Sequence, residues 1–179
     1  LLRCLRRLYA AGMPDEALRA IGLTVGSDVP FCVSGGTSLA EGRGERLTDL
    51  PPLPVCQIVL CKPDFGISTP ELFVLADGAV LSKRPDIAGL TAALQGGELT
   101  GVTDRLCNVF EEFLPERYQE DFRIKEILLA HGALNAAMSG SGPTVYGIFE
   151  SAAEAQRAAE VLKKSYQQTY VAKPVKKLV

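Results

Sequence analysis

Three prolines in four residues, Pro51-Pro52-Leu53-Pro54, constrain this chain more than any other feature. Proline fixes φ and removes a backbone donor, so neither a helix nor a central strand runs through such a segment. The sequence therefore divides here, with residues 1–50 as one folding region and 51–179 as another. Before the break, Leu1, Leu5 and Leu8 recur at helical spacing and predict a helix over 1–12, closed by Gly12. Pro14 opens a second helix to about Ile21. Gly22 to Gly36 reads as loop and short strand, and Thr37-Ser38-Leu39-Ala40 as a further strand.

Beyond the prolines, Val55-Cys56-Gln57-Ile58-Val59-Leu60-Cys61 is an apolar run suited to the interior of a sheet. Pro70 fits the first turn of a helix reaching about Leu75. Helices follow near 86–95, 101–114 and 121–131. The second of these would place Leu106, Val109, Phe110, Phe113 and Leu114 on one face. Strands at 134–138 and 145–149 flank a glycine-rich loop. Ser151 and Glu154 have the spacing of a capping box and open a helix to about Lys164. Tyr166 to Ala172 closes the pattern as a strand. This order predicts an α+β sandwich, with helices on a largely antiparallel sheet.

Composition narrows the function classes. With 179 residues, 47% of them hydrophobic, and a net charge of −2, the chain offers no electrostatic case for nucleic acid or an anionic membrane. Its apolar stretches are too short to span a bilayer as a helix. Five cysteines form no CxxC pair, and there is a single histidine, so no zinc site is expected. The thiols are expected to be buried and reduced, which points to the cytoplasm. The chain opens on Leu1-Leu2-Arg3, without Met and already inside a helical pattern. It is expected to be part of a longer reading frame.

Two segments carry chemistry. In Gly26-Ser27-Asp28-Val29-Pro30-Phe31, Asp28 stands where a helix N-cap would be. A hydrogen-bonded, ionised carboxylate in that position is also able to accept a hydroxyl proton. Far along the chain, Ser139-Gly140-Ser141-Gly142 lies between two strands. It reads either as a plain hairpin loop or as a cradle of backbone N–H groups for an anion. A carboxylate together with such a cradle is what phosphoryl transfer requires. The helix start at Thr69-Pro70 offers free N–H groups as well. Neither a Walker A motif nor a complete GxGxxG occurs, and His131 is assigned no chemistry.

Taken in order, these motifs resemble the GHMP kinase superfamily. The resemblance rests on Gly26 to Phe31, Ser34-Gly35-Gly36-Thr37, Glu41-Gly42-Arg43-Gly44-Glu45, and Lys62-Pro63 with Gly66-Ile67-Ser68-Thr69-Pro70. It continues through Asn108-Val109-Phe110-Glu111 and Met138 to Thr144. It implies an ATP- and Mg²⁺-dependent kinase of a small molecule, a cytidine diphosphate-linked methylerythritol phosphorylated on its 2-hydroxyl. It further implies that residues 1–50 are the end of an ATP-binding domain and 51–179 a ferredoxin-like substrate domain. Asp28 would be the catalytic aspartate. Thr69, Pro70 and Phe73 would line a cytidine pocket, and Gly140, Ser141 and Gly142 would brace the phosphate-binding region. The superfamily's lysine-bearing first strand and its main phosphate loop have no match here, so the chain alone is expected not to turn over. Other members of the superfamily acting on homoserine or mevalonate, and a non-catalytic metabolite-binding module, are the alternatives.

Overall fold

In the computed structural model, which describes residues 1–175, the chain divides into two units, Leu1–Pro52 together with Val175, and Leu53–Pro174. The end of the expected second region, residues 176–179, lies outside the described residues.

The first unit contains α1 (Leu2–Tyr9), α2 (Asp15–Val25), α3 (Val29–Ser34) and an antiparallel hairpin of β1 (Thr37–Glu41) and β2 (Arg46–Leu50). Three expectations are corrected here. First, α2 runs through Gly22 rather than stopping at Ile21. Gly22 is buried against α3, and a Cβ there would stand 2.9 Å from Val29 Cγ1. Packing therefore overrides its poor helix propensity. Second, Val29–Ser34 is helix, not loop and strand. Pro30 falls in the first turn, where a missing N–H costs nothing, and Cys32 N–H donates to Asp28 O at 3.1 Å. Third, β2 was not expected, because Arg46-Leu47-Thr48-Asp49-Leu50 shows no period-two alternation. Pairing from Thr37↔Leu50 to Glu41↔Arg46 makes it a strand.

The second unit contains β3 (Gln57–Lys62), α4 (Thr69–Asp77), α5 (Ile87–Gly96), α6 (Leu99–Thr103) and 3-10 turns at Val109–Phe113 and Glu116–Tyr118. After these come α7 (Glu120–Ala130), β4 (Asn135–Met138), β5 (Val145–Phe149), α8 (Ala152–Lys163) and β6 (Gln168–Ala172). The sheet order is β4-β5-β3-β6, antiparallel throughout. A βαββαβ chain with its first and third strands in the centre is the ferredoxin-like arrangement, and the α+β expectation holds.

The core follows from the strand period. Val59 and Cys61 alternate along β3 and are fully buried, against Ile124 and Leu128 of α7 and Leu162 of α8. Ala155, Ala158 and Ala159 form the rest of the α8 stripe, and their small side chains let the helix lie close to the sheet. Ser151 Oγ accepts from Glu154 N–H at 3.3 Å, which caps α8 as its spacing predicts.

The expected helix over 101–114 is broken. Thr103 ends α6, and a 3-10 turn begins only after Asn108. Asn108 Oδ1 accepts from Phe110 N–H at 3.0 Å, a local bond that replaces the helical one. Pro115 then holds Leu114 extended, with ψ of 122°. The cysteines also depart from expectation. All five are free, but only Cys56 and Cys61 are buried, whereas Cys4, Cys32 and Cys107 are exposed. Burial pushes the Cys56 and Cys61 thiols up.

Candidate functional site

The glycine-rich loop joins β4 to β5 in a tight turn. Gly142 N–H donates to Ser139 O at 2.9 Å, and Ser139 N–H donates to Thr144 O at 2.7 Å. Gly140 has φ of +56°, as the first central residue of a II′-type turn requires, and nothing lies within 4 Å of where its Cβ would be. At Gly142, with φ of +75°, a Cβ would stand 2.5 Å from Met138 Sδ. Among the described residues, the Gly140 and Ser141 N–H groups have no hydrogen-bond acceptor. Such a pair of adjacent donors is able to take an anion.

The segment that begins α4 reaches this loop. Thr69 Oγ1 and Ser141 Oγ share a hydrogen bond of 2.6 Å across 72 residues of sequence. Thr69 begins α4, and Pro70 occupies its first turn. The helix start has fewer free donors than its sequence suggests: Pro70 has no N–H, and Glu71 N–H is taken by Ser68 Oγ at 3.4 Å. One turn on, Phe73 is 55% exposed and meets Phe110 edge-to-face at 5.3 Å between centroids. Phe73 is therefore not a core residue, and its ring is accessible to a planar ligand. Phe65 instead stacks on Tyr118 at 5.3 Å.

Behind the loop lies a shallow cavity of about 370 Å³, lined by Cys107, Asn108, Phe110, Met138, Ser139 and Tyr146 among others. Burial, and then the Glu111 carboxylate, push the Tyr146 phenol up. Asn108 and Glu111 are tied to the loop and were not singled out as site residues from sequence. Asn108 Nδ2 donates to Met138 O and to Gly140 O, each at 2.8 Å, and Glu111 Oε1 accepts from Met138 N–H at 2.6 Å. The signal was the Asn108-Val109-Phe110-Glu111 motif itself, which the sequence reading placed within a helix over 101–114.

One carboxylate nearby is anomalous. Asp121, in the first turn of α7, is 1% exposed, and neither oxygen has a hydrogen-bond partner. Burial first, then the charges of Glu111 and Glu120, push its pKa up to about 7.

Asp28 belongs to the first unit. It holds the N-cap position of α3 with φ of −85° and ψ of −12°, but its side chain accepts no capping bond. The expectation of a hydrogen-bonded cap is thus corrected: the backbone sets the position and the carboxylate is exposed. Gly44, in the hairpin turn of the same unit, lies against it, with an ideal Cβ 3.5 Å from Asp28 Oδ1. His131 caps α7 and pairs its Nδ1 with Ile127 O at 2.7 Å.

Comparison with known proteins bears on this arrangement. Residues 90–168 match the family described as GHMP kinases C terminal. The chain is 37% identical over 174 residues to a 4-diphosphocytidyl-2-C-methyl-D-erythritol kinase of Clostridium novyi, covering 97% of this chain and 62% of that one. The same-named kinase of Enterococcus faecalis is 41% identical over 176 residues, covering 98% and 62%. A crystal structure of 4-(cytidine 5'-diphospho)-2C-methyl-D-erythritol kinase superposes with a TM-score of 0.77 at 28% identity, covering 96% of this chain and 60% of that one. A homoserine kinase from Cytophaga hutchinsonii, at TM-score 0.68 and 18% identity over 97% of this chain and 61% of that one, shares the fold. The chain thus spans about three-fifths of the length of these relatives.

Proposed function

The chain carries a GHMP kinase C-terminal domain and belongs to that family, and on that premise we propose that the protein transfers the γ-phosphoryl group of ATP to the 2-hydroxyl of a cytidine diphosphate-linked methylerythritol. The bond from the γ-phosphorus to the bridging oxygen breaks, a new one forms to the substrate oxygen, ADP leaves, and the hydroxyl proton passes to Asp28. The observation that carries this reading is the Thr69–Ser141 hydrogen bond, which ties the segment for the nucleoside to the loop for phosphates.

Each residue has a role in this scheme. Phe73 stacks on the cytosine, since every base presents a π-face to an accessible aromatic ring. Thr69 and Pro70 shape the entrance of that pocket. Gly140, Ser141 and Gly142 brace the phosphate-binding region with small side chains and free N–H groups, where charge develops during transfer. Mg²⁺ supplies charge neutralisation when it is bound with ATP. Among the described residues no three His, Cys, Asp or Glu side chains gather to hold a metal ion, and none is assigned to it.

The test is a phosphoryl-transfer assay with MgATP, on a chain carrying the remaining length of its relatives. The cytidine diphosphate-linked methylerythritol, homoserine and mevalonate are offered in parallel, and the product is located by phosphorus NMR. Turnover of the cytidine compound alone, with the new phosphate on the 2-position, is the expected outcome. Preference for either of the other two acceptors would overturn it.

A further inference from the structure

The last residue of β4 is held on both sides of its peptide by the 3-10 segment before α7. Among the described residues, the sheet order places β4 at an edge, with β5 as its one neighbour. Ser139 pairs with Thr144 through a ladder bond, so by the alternation of an antiparallel pair the N–H and C=O of Met138 point away from β5. Edge groups of this kind are ordinarily left to water or to a foreign strand. Here Glu111 Oε1 takes the N–H at 2.6 Å, and Asn108 Nδ2 takes the C=O at 2.8 Å.

Asn108 does more than cover an edge. Its second amide hydrogen reaches Gly140 O at 2.8 Å, inside the loop, while its Oδ1 is fixed by Phe110 N–H. Two carbonyls and one N–H surround the amide, so only the donor arrangement of Asn satisfies all three partners. Glu111 is in turn ion-paired to Lys125 of α7 through Oε2, at 16% exposure for the carboxylate and 20% for the lysine. The loop is therefore referenced to α7 through a chain of side chains: Lys125, Glu111, Met138 backbone, Asn108 and Gly140 backbone.

We propose that Asn108 and Glu111 are positioning residues that fix the geometry of the Ser139–Gly142 loop, with Lys125 orienting Glu111. This rests on the reading of that loop as phosphate-facing. A loop offering two free N–H groups stabilises developing charge only if those donors are already in place. The bonds from Asn108 and Glu111 end on Met138 N–H, Met138 O and Gly140 O, and so leave the Gly140 and Ser141 N–H groups unoccupied.

The test is residue-resolved amide hydrogen exchange on the 179-residue chain, with an ADP titration of a chain carrying the remaining length of its relatives. Asn108→Asp keeps the shape but turns two donors into acceptors. It is expected to speed exchange at Ser139 and Gly142 by about tenfold, with the β3 and β5 core amides changing by less than about twofold. Glu111→Gln keeps an acceptor for Met138 N–H and is expected to retain most of the loop protection, whereas Glu111→Ala loses it. Unchanged loop exchange in Asn108→Asp, or an equal rise in loop and core, would overturn the clamp. ADP affinity is expected to fall together with loop protection. A loosened loop with unaltered ADP affinity would uphold the clamp and contradict the kinase reading.

Discussion

The glycine loop of the second unit and the Asp28 turn of the first are held in opposite ways. The loop is gripped by side chains: Asn108 on two carbonyls, Glu111 on an N–H, and Thr69 on the Ser141 hydroxyl. The Asp28 turn is held by backbone hydrogen bonds and by Val29 packing on Gly22, with Cys32 N–H on the Asp28 carbonyl, Pro30 in the following turn, and a carboxylate that caps nothing. The difference suits the two proposed roles. A cradle must keep several weak donors in register, which takes many bonds. A proton acceptor must keep its oxygens free for one incoming hydroxyl.

In a chain carrying the remaining length of its relatives, Asp28→Asn is expected to lower kcat by at least ~10²-fold, with KM for the acceptor little changed. Because the carboxylate makes no capping bond, thermal stability should also stay put. A stability loss with near-normal kcat would return Asp28 to a structural role.

Phe73 sharpens the ligand side of the second unit. Phe73→Ala is expected to weaken a cytidine nucleotide by ~1–3 kcal/mol, leaving ATP affinity unaltered. At 55% exposure the ring contributes little to the core, so the melting temperature should hardly move. Equal losses for both nucleotides would place the stacking ring elsewhere.

Asp121 separates pH effects on the fold from those on the site. Its folded pKa of about 7 lies above the ordinary 3.8, so the folded state holds the proton more tightly than the unfolded chain. Stability from this group is complete below pH 3.8 and is lost as pH rises through about 7. Asp121→Asn is expected to gain ~1–3 kcal/mol on wild type between pH 5 and pH 8, read from urea melts at both values. A constant difference between the two proteins would mean that the carboxyl is not neutral in the fold. The smallest effect belongs to Ser151→Ala, which removes the α8 cap and is expected to cost ~1 kcal/mol of stability, without altering ligand binding.

Legibility from sequence varied along the same divide. In the second unit β3, β5 and α8 were visible, because burial imposes its period directly: Val59 and Cys61 alternate, and Ala155, Ala158, Ala159 and Leu162 form a helical stripe. The order of motifs likewise pointed to the family. What stayed hidden depended on long-range partners. β2 is a strand only because β1 pairs with it, and α3 and the end of α2 are helices because Val29 packs on Gly22. The break before Val109 was hidden because Asn108 is engaged with a loop 30 residues further on. Residues 108 to 111 stood out as a motif of the family resemblance, but with the segment read as one helix they were given no role at the site.

The central claim is that α4 and the glycine loop form a single nucleotide-facing surface within the second unit. Its most direct measurement is a titration of the 179-residue chain with cytidine diphosphate, followed by amide chemical shifts at single-residue resolution. Thr69, Phe73 and Ser141 are expected to shift together along one binding curve, with the core strand β3 unmoved. Shifts confined to residues outside α4 and the loop, or separate curves for Phe73 and Ser141, would contradict it.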